Sequence, residues 1–136
     1  MNIVIGYVDN AAGNAALRVG LSEAALRGAA VRVRHVVRVG THNEPPESIE
    51  RMRGRLEQIT RQIASQGLVG DAELLLERGE PADAILDEVV RLRADLLVIG
   101  SRRRSRVGKL LLGSTSQQLV LRAPCAVLSL RPSASP

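Results

Sequence analysis

The stretch LLVIGSRRRSRVGKLLLGST, residues 96–115, joins an apolar run to a helix start through a strongly basic segment. Five of the eight positions 102–109 are arginine or lysine. The backbone N–H groups at the start of a helix have no partner within the helix, and the helix dipole favours negative charge there. Because the basic segment leads into Gly113-Ser114-Thr115, the stretch predicts a site that holds an anion.

Apolar runs and amphipathic patterns alternate along the rest of the chain. Strands are predicted at 3–8, 31–37, 72–76, 96–99 and 126–130, and helices at 12–28, 49–63, 81–92 and 114–121. Strands that alternate with helices favour a parallel sheet with right-handed crossovers and helices on both faces. The sequence therefore predicts an α/β fold, a three-layer α/β/α sandwich.

The predicted sheet also indicates where a ligand would bind. Ligands of such sheets lie outside the carboxyl ends of the strands, at the point where the strand order reverses. If the first and fourth strands are neighbours there, Asp9 at the end of one lies beside Gly100 at the end of the other. Two segments that are distant in the sequence would then form one site.

Length and composition limit the class of protein. The 136 residues suit one domain, 1–131, followed by a tail at 132–136 that has nothing to bury and is expected to be mobile. The single cysteine, Cys125, excludes an internal disulfide and is predicted to be a small core side chain.

No apolar run approaches the roughly 18 residues of a membrane span, and the N-terminus does not resemble a signal peptide. We therefore expect a cytoplasmic protein with no membrane partner.

The charge of the chain raises the question of nucleic acid binding. A net charge of +5 and an isoelectric point near 10.9 favour acidic partners. Tyr7 is the only aromatic residue, however, so platforms for stacking single-stranded bases are missing. The arginines of the predicted helices, Arg55 and Arg91 among them, are expected to be solvated on helix surfaces. The composition therefore argues against nucleic acid as the partner.

Several familiar motifs do not fit. The turn Asp9-Asn10-Ala11-Ala12-Gly13 has one glycine where a dinucleotide fingerprint needs three. Gly108-Lys109 lacks the following hydroxyl of a Walker A loop, and Gly113-Ser114-Thr115-Ser116 lacks the glycine spacing of a nucleophile elbow. His35 and His42 have no further ligand at metal spacing, so no metal site is predicted. No general base is identifiable, so no catalytic residue is assigned and slow hydrolysis of a bound ligand stays open.

Local features carry further expectations. Gly20, inside the first helix, costs roughly 1 kcal/mol relative to alanine and indicates close packing there. The second strand starts Val-Arg-Val-Arg and is expected to begin half exposed and to end buried. Residues 38–46 contain glycine and proline and predict a surface loop. Ser114 is predicted to be the N-cap of the last helix, with a hydroxyl that can also turn to a phosphate.

In the spacing of its glycines the sequence resembles the universal stress protein family, over nearly the whole chain. The family's adenine nucleotide motif is Gly-x2-Gly-x9-Gly-Ser/Thr, and the same register here reads Gly100-x2-Arg103-x9-Gly113-Ser114. His35-Val36-Val37 and Ala123-Pro124-Cys125 are further landmarks. The resemblance implies a five-stranded parallel sheet of order 3-2-1-4-5, the adenine nucleotide alpha hydrolase-like fold. It also implies a homodimer in which the last strands meet.

The resemblance implies a site for ATP or another adenine nucleotide, alone or with Mg²⁺, in a stress-response module that acts on a protein partner not yet known. The residues implied to bind the nucleotide are Val8, Asp9, Val36, Ile99, Gly100, Arg103, Gly113, Ser114 and Thr115. Of these, Asp9, Val36 and Ile99 would line the adenosine end of the pocket. The glycines, Ser114 and Thr115 would surround the ribose and the phosphates.

Arg103 departs from the motif, because nucleotide-binding members have the second glycine at that position. An arginine strains the turn by about 1 to 2 kcal/mol if φ stays positive, and it fills space. Either Arg103 blocks the phosphates, leaving a dimer that acts only on a protein partner, or its guanidinium turns outward and grips phosphate with two hydrogen bonds. The Gly113-Ser114-Thr115 half of the motif is intact, which favours retained nucleotide binding.

Overall fold

The computed structural model describes residues 1–40, 43–101 and 112–132. The strands are β1 (Asn2–Gly6), β2 (Ala30–Arg38), β3 (Gly70–Glu77), β4 (Leu96–Gly100) and β5 (Ala126–Leu130), and the helices are α1 (Ala11–Arg27), α2 (Pro46–Ser65), α3 (Pro81–Arg91) and α4 (Ser114–Arg122). Every predicted strand and helix is present, with ends that differ by a few residues. None of the helices in the described ranges has both the length and the apolar character needed to cross a membrane.

The five strands form one parallel sheet in the order β3-β2-β1-β4-β5. This order confirms the prediction and places the reversal of strand order between β1 and β4, where Ile5 lies opposite Val98. One apolar cluster joins the sheet to α1 and α2, and a second joins its other face to α3 and α4. The three-layer α/β/α architecture is therefore confirmed.

β1 occupies the centre of the sheet. Ile3, Val4 and Ile5 are each 0% exposed. Ile3 and Ile5 belong to the cluster under α1 and α2, whereas Val4 belongs to the cluster under α3 and α4. Successive side chains of a strand point to opposite faces, so a strand covered on both faces needs a continuous apolar run, as this one has.

α1 packs on the sheet through small residues. A Cβ atom at Gly20 would lie 2.4 Å from Cδ1 of Ile5, closer than two carbon atoms can approach. The predicted close packing at Gly20 is therefore confirmed. Ala16 and Ala24 are each 0% exposed and extend this contact along the helix.

The prediction of one surface loop over residues 38–46 is wrong at both ends. Arg38 is the last residue of β2 and pairs with Glu77 of β3. Pro46 is the first residue of α2. A proline suits the first turn of a helix, because its fixed φ is helical and the N–H it lacks would have no partner there. His42 lies outside the described residues.

Arg34 of β2 is 2% exposed, although the alternating pattern predicts a half-exposed position. Its Nε donates to Oε2 of Glu88 at 2.6 Å, and its Nη1 donates to Oδ1 of Asp71 at 2.5 Å. Hydrogen bonds from Arg91 hold the pKa of Glu88 below its ordinary value, with Arg34 contributing in the same direction and burial opposing both. Carboxylates from β3 and α3 thus offset the desolvation of the arginine.

Candidate functional site

A cleft of about 1260 Å³ opens at the carboxyl ends of β1 and β4. Its walls come from the segment after β1, the start of α1, the end of β4 and the start of α4. Pro81 and Ile85 of α3 contribute one further side. The cleft therefore lies where the strand order reverses, which is the place that parallel sheets of this kind offer to ligands.

Most of the predicted site residues meet at this cleft. The predicted residues that line it are Val8, Val36, Ile99, Gly100, Gly113, Ser114 and Thr115. Asp9 lies between two lining residues but is not itself among those that line the cleft in the described part of the chain. Arg103 and the rest of the basic segment at 102–109 lie outside the described residues.

Two glycines allow the chain to close tightly around the base of the cleft. A Cβ atom at Gly100 would lie 2.6 Å from the carbonyl carbon of Ala12, and one at Gly13 would lie 1.6 Å from the carbonyl oxygen of Val8. Both contacts are with backbone atoms, which cannot rotate away as a side chain can. The end of β4 and the start of α1 therefore approach each other more closely than any other residue type would permit.

The start of α4 has three backbone donors without a partner in the described part of the chain. Gly113 is the N-cap, in an extended conformation with φ −66° and ψ 162°, and no side chain caps the helix. The prediction that Ser114 is the N-cap is therefore wrong, because Ser114 is already the first helical residue. The first backbone bond of the helix runs from Gln117 N to Gly113 O. The N–H groups of Ser114, Thr115 and Ser116 thus have no partner among the described residues.

The Ser116 hydroxyl fastens this helix start to the sheet, and Ser101 links the end of β4 to β5. The Ser116 hydroxyl donates to the Gly100 carbonyl at 3.1 Å. Ser101 donates to the Leu130 carbonyl through its N–H at 2.7 Å and through its hydroxyl at 2.9 Å. Sequence reasoning missed both serines. Three consecutive hydroxyl residues after Gly113 were the available signal for Ser116, whereas nothing local distinguishes Ser101.

Several of the residues that line the cleft are apolar. Val8 is 52% exposed, which is high for a valine beside a core strand. Val36 and Ile99 line the same cleft, together with Ile85 and Leu119 from α3 and α4. The last two were missed, because their helical spacing predicts core packing and carries no sign of a ligand. The cleft therefore offers apolar contacts as well as the backbone donors at the start of α4.

His35 and Tyr7 contact each other across β1 and β2. Nδ1 of His35 lies 2.8 Å from the carbonyl oxygen of Tyr7, so this nitrogen carries the proton and donates it. The Tyr7 hydroxyl lies 3.0 Å from Oδ1 of Asp9. Within the described ranges, no group of three or more histidine, cysteine, aspartate or glutamate side chains could hold a metal ion.

The chain is similar in sequence and fold to known proteins of one family. A model described as the Universal stress protein family matches residues 1–131. The chain is 35% identical to a universal stress protein of Thermus aquaticus over 133 residues, which cover 95% of this chain and 97% of that protein. A solved universal stress protein from Archaeoglobus fulgidus is 33% identical with a TM-score of 0.79, over 96% of this chain and 98% of that one. Another from that organism, in complex with dAMP, is 29% identical with a TM-score of 0.71, over 96% and 97%.

Proposed function

The chain belongs to the universal stress protein family, and on that basis we propose that it binds ATP or another adenine nucleotide between β1 and β4. In this proposal it acts as a regulatory or binding module of the stress response, and no reaction is assigned to it. A family relative that is 29% identical was solved in complex with dAMP, which supports an adenine nucleotide as the ligand class.

The observation that carries the proposal is the start of α4, which none of the described side chains caps. Ser114 and Thr115 line the cleft, and their N–H groups have no partner among the described residues. Unpaired N–H groups at a helix start bind phosphate, both by donating hydrogen bonds and through the helix dipole. A phosphate here would leave the base near the apolar residues Val36 and Ile99. Mg²⁺ would arrive on the phosphates of the nucleotide and keep several of its waters.

Titration calorimetry with ATP and Mg²⁺ on nucleotide-free protein tests the proposal. We expect heat of binding that persists near physiological ionic strength. Binding to nucleic acid through the basic segment would instead fall steeply with salt. No heat with protein at micromolar concentration would contradict the proposal.

A pair of substitutions at Ser114 tests the role of the helix start. Ser114→Pro removes the N–H while keeping a residue that the first helical position accepts, and Gly113 before it is already extended. Ser114→Ala removes only the hydroxyl and is the matched control. We expect Ser114→Pro to weaken ATP binding by about tenfold or more, since hydrogen bonds to charged groups contribute about 1.5–3 kcal/mol. Equal affinities for the two variants would count against phosphate binding at this helix.

A second candidate rests on Arg103, which replaces a glycine of the nucleotide motif. In this alternative the arginine has abolished nucleotide binding, and the protein acts as a dimer on a protein partner. Arg103→Gly would then create an ATP affinity that the parent lacks. If the parent already binds ATP and the substitution leaves its affinity unchanged, the alternative fails.

A further inference from the structure

The hydroxyl of Tyr7 lies at the centre of a polar cluster beside the carboxyl end of β1. Tyr7 is 1% exposed, and its hydroxyl lies 3.0 Å from Oδ1 of Asp9 and 2.8 Å from Oδ1 of Asn14. It donates its single proton toward these two oxygens. Nε of Arg55 donates to the same hydroxyl at 3.0 Å. The cluster therefore joins the segment after β1 to both α1 and α2.

The prediction that Arg55 is solvated on a helix surface is wrong. Its guanidinium carbon lies 5.7 Å from the centroid of the Tyr7 ring, and its Nη2 donates to Oδ1 of Asn14 at 3.3 Å. A cation over the face of an aromatic ring is attracted to it. The ring, the hydroxyl and the amide together hold the half-buried guanidinium in one orientation.

Asp9 belongs to this cluster and lies between two residues that line the cleft. Val8 and Asn10, on either side of it, line the cleft, and Asp9 itself is exposed. Oδ1 of Asp9 is engaged by Tyr7, whereas Oδ2 has no partner in the described part of the chain. A carboxylate repels phosphate and accepts hydrogen bonds. The ligand group that suits the free oxygen is therefore an uncharged donor such as a sugar hydroxyl.

We propose that Tyr7 and Arg55 are positioning residues that orient the Asp9 carboxylate toward the ribose hydroxyls of a bound nucleotide. They thereby set a preference for sugars that carry these hydroxyls. The inference rests on the proposed function, because it requires a nucleotide in the cleft. Arg55 is not among the lining residues that the structure describes, so its effect passes through Tyr7 and Asp9.

The ionisation of Tyr7 agrees with its role as a donor. Burial raises the pKa of Tyr7 above its ordinary value, the hydrogen bond from Arg55 opposes this rise, and Asp9 reinforces it. At neutral pH the phenol therefore keeps its proton. Tyr7 is also the only aromatic residue of the chain, so its absorbance can be followed without interference.

Binding of AMP and of its dideoxy analogue, which lacks both ribose hydroxyls, tests the inference by calorimetry. We expect Tyr7→Phe and Arg55→Met to weaken AMP binding roughly three- to tenfold and to leave the analogue unaffected. Arg55→Lys retains the charge and should recover part of the affinity. Arg61→Met removes a charge from an exposed position of the same helix. It is the control and should change the affinity for neither ligand. In an Asp9→Asn background, Tyr7→Phe should have no further effect.

The outcomes separate this inference from the proposed function. If the parent binds neither AMP nor ATP, both fail. If it binds ATP but not AMP, the same comparison is made with ATP and its dideoxy analogue. If the parent binds AMP but Tyr7→Phe and Arg55→Met leave its affinity unchanged, only this inference fails. It also fails if the variants weaken the binding of both ligands equally, because a merely structural role would give that result. The same holds if Tyr7→Phe weakens AMP binding by the same factor with and without the Asp9 carboxylate.

A titration without ligand checks the cluster itself. Tyrosinate absorbance reports the pKa of Tyr7, and far-ultraviolet circular dichroism identifies the pH range in which the protein stays folded. Arg55→Met should raise this pKa further, and Asp9→Asn should lower it. A pKa that neither substitution moves would overturn the inference whether or not a nucleotide binds.

Discussion

Arg34 is the residue whose surroundings differ most from what its position in the sequence suggests. Its side chain is 2% exposed and contacts the carboxylates of Glu88, Asp71 and Glu73, the last at 3.8 Å. Removing a charge from water costs several kcal/mol, which well-placed partners offset. The three carboxylates should therefore contribute to stability in proportion to their own burial and proximity.

Glu88→Gln should lower the free energy of unfolding by about 1–3 kcal/mol at neutral pH, because it leaves the buried arginine with one charged partner fewer. Glu73→Gln is the matched control, since Glu73 is 55% exposed and 3.8 Å from Arg34. Glu73→Gln should lower the free energy of unfolding by less than about 1 kcal/mol. Urea unfolding of the parent and both variants measures the difference. Equal losses would contradict this account of Arg34.

The same contact predicts a dependence on pH. The pKa of Glu88 in the folded protein lies below its ordinary value of 4.5, chiefly because Arg91 donates to the carboxylate. Its contribution to stability is therefore complete above that ordinary value and is lost as the pH falls through the folded-state pKa. The gap in unfolding free energy between the parent and Glu88→Gln should shrink in acid. A gap that stays constant from neutral pH into that acidic range would refute the prediction.

Among the elements, α1 and α2 each contain a glycine in mid-helix, Gly20 and Gly54, and these two glycines have opposite surroundings. A Cβ atom at Gly20 of α1 would lie 2.4 Å from Ile5, whereas one at Gly54 of α2 would meet nothing within 4 Å. Glycine inside a helix costs about 0.5–1 kcal/mol relative to alanine. In α1 the missing side chain allows the helix to approach the sheet. In α2 nothing in the described packing requires a glycine.

Gly54→Ala should therefore raise the free energy of unfolding by about 0.5–1 kcal/mol through helix propensity alone. Gly20→Ala should lower it, because overpacking a core contact costs about 1–3 kcal/mol and outweighs the gain in propensity. Thermal or urea unfolding of the two variants measures both signs. Stabilisation by both substitutions would show that α1 can shift away from the sheet at little cost.

For the whole molecule, the two edges of the sheet differ in charge. β3 carries Asp71, Glu73 and Glu77, and charged side chains on an edge strand discourage pairing with another chain. β5, with the sequence AVLSL, carries no charge. β5 is therefore the edge better suited to pair with a second copy, and we propose a homodimer through it.

Sedimentation of the parent should accordingly give the mass of a dimer. Ser129→Lys places a charge at an exposed position of β5 and should shift the equilibrium toward the monomer. Leu76→Lys places the same charge at an exposed position of the opposite edge strand, β3, and should leave the dimer intact. A monomeric parent, or a dimer that only Leu76→Lys disrupts, would exclude β5 as the interface.

The candidate site divides into a part that local sequence reveals and a part that it does not. The glycine spacing around Gly100 and Gly113 carries the register of the family motif, and both glycines line the cleft. Ile85 and Leu119 line it as well, yet their helical spacing is that of any buried residue. Their proximity to the cleft depends on how α3 and α4 are placed over the sheet, which no local pattern records.

The apolar periodicities were sufficient for the strands, the helices and the parallel sheet, because each of these follows from short-range backbone geometry and from burial of one face or both. The surroundings of the long charged side chains were not predictable in the same way. Arg34 meets Glu88 across 54 positions of sequence, and Arg55 meets Tyr7 across 48. Whether an arginine is solvated, buried or stacked depends on which partners the fold brings within about 3 Å. Folding alone places those partners, since the same arginine in the same local sequence would be exposed without them.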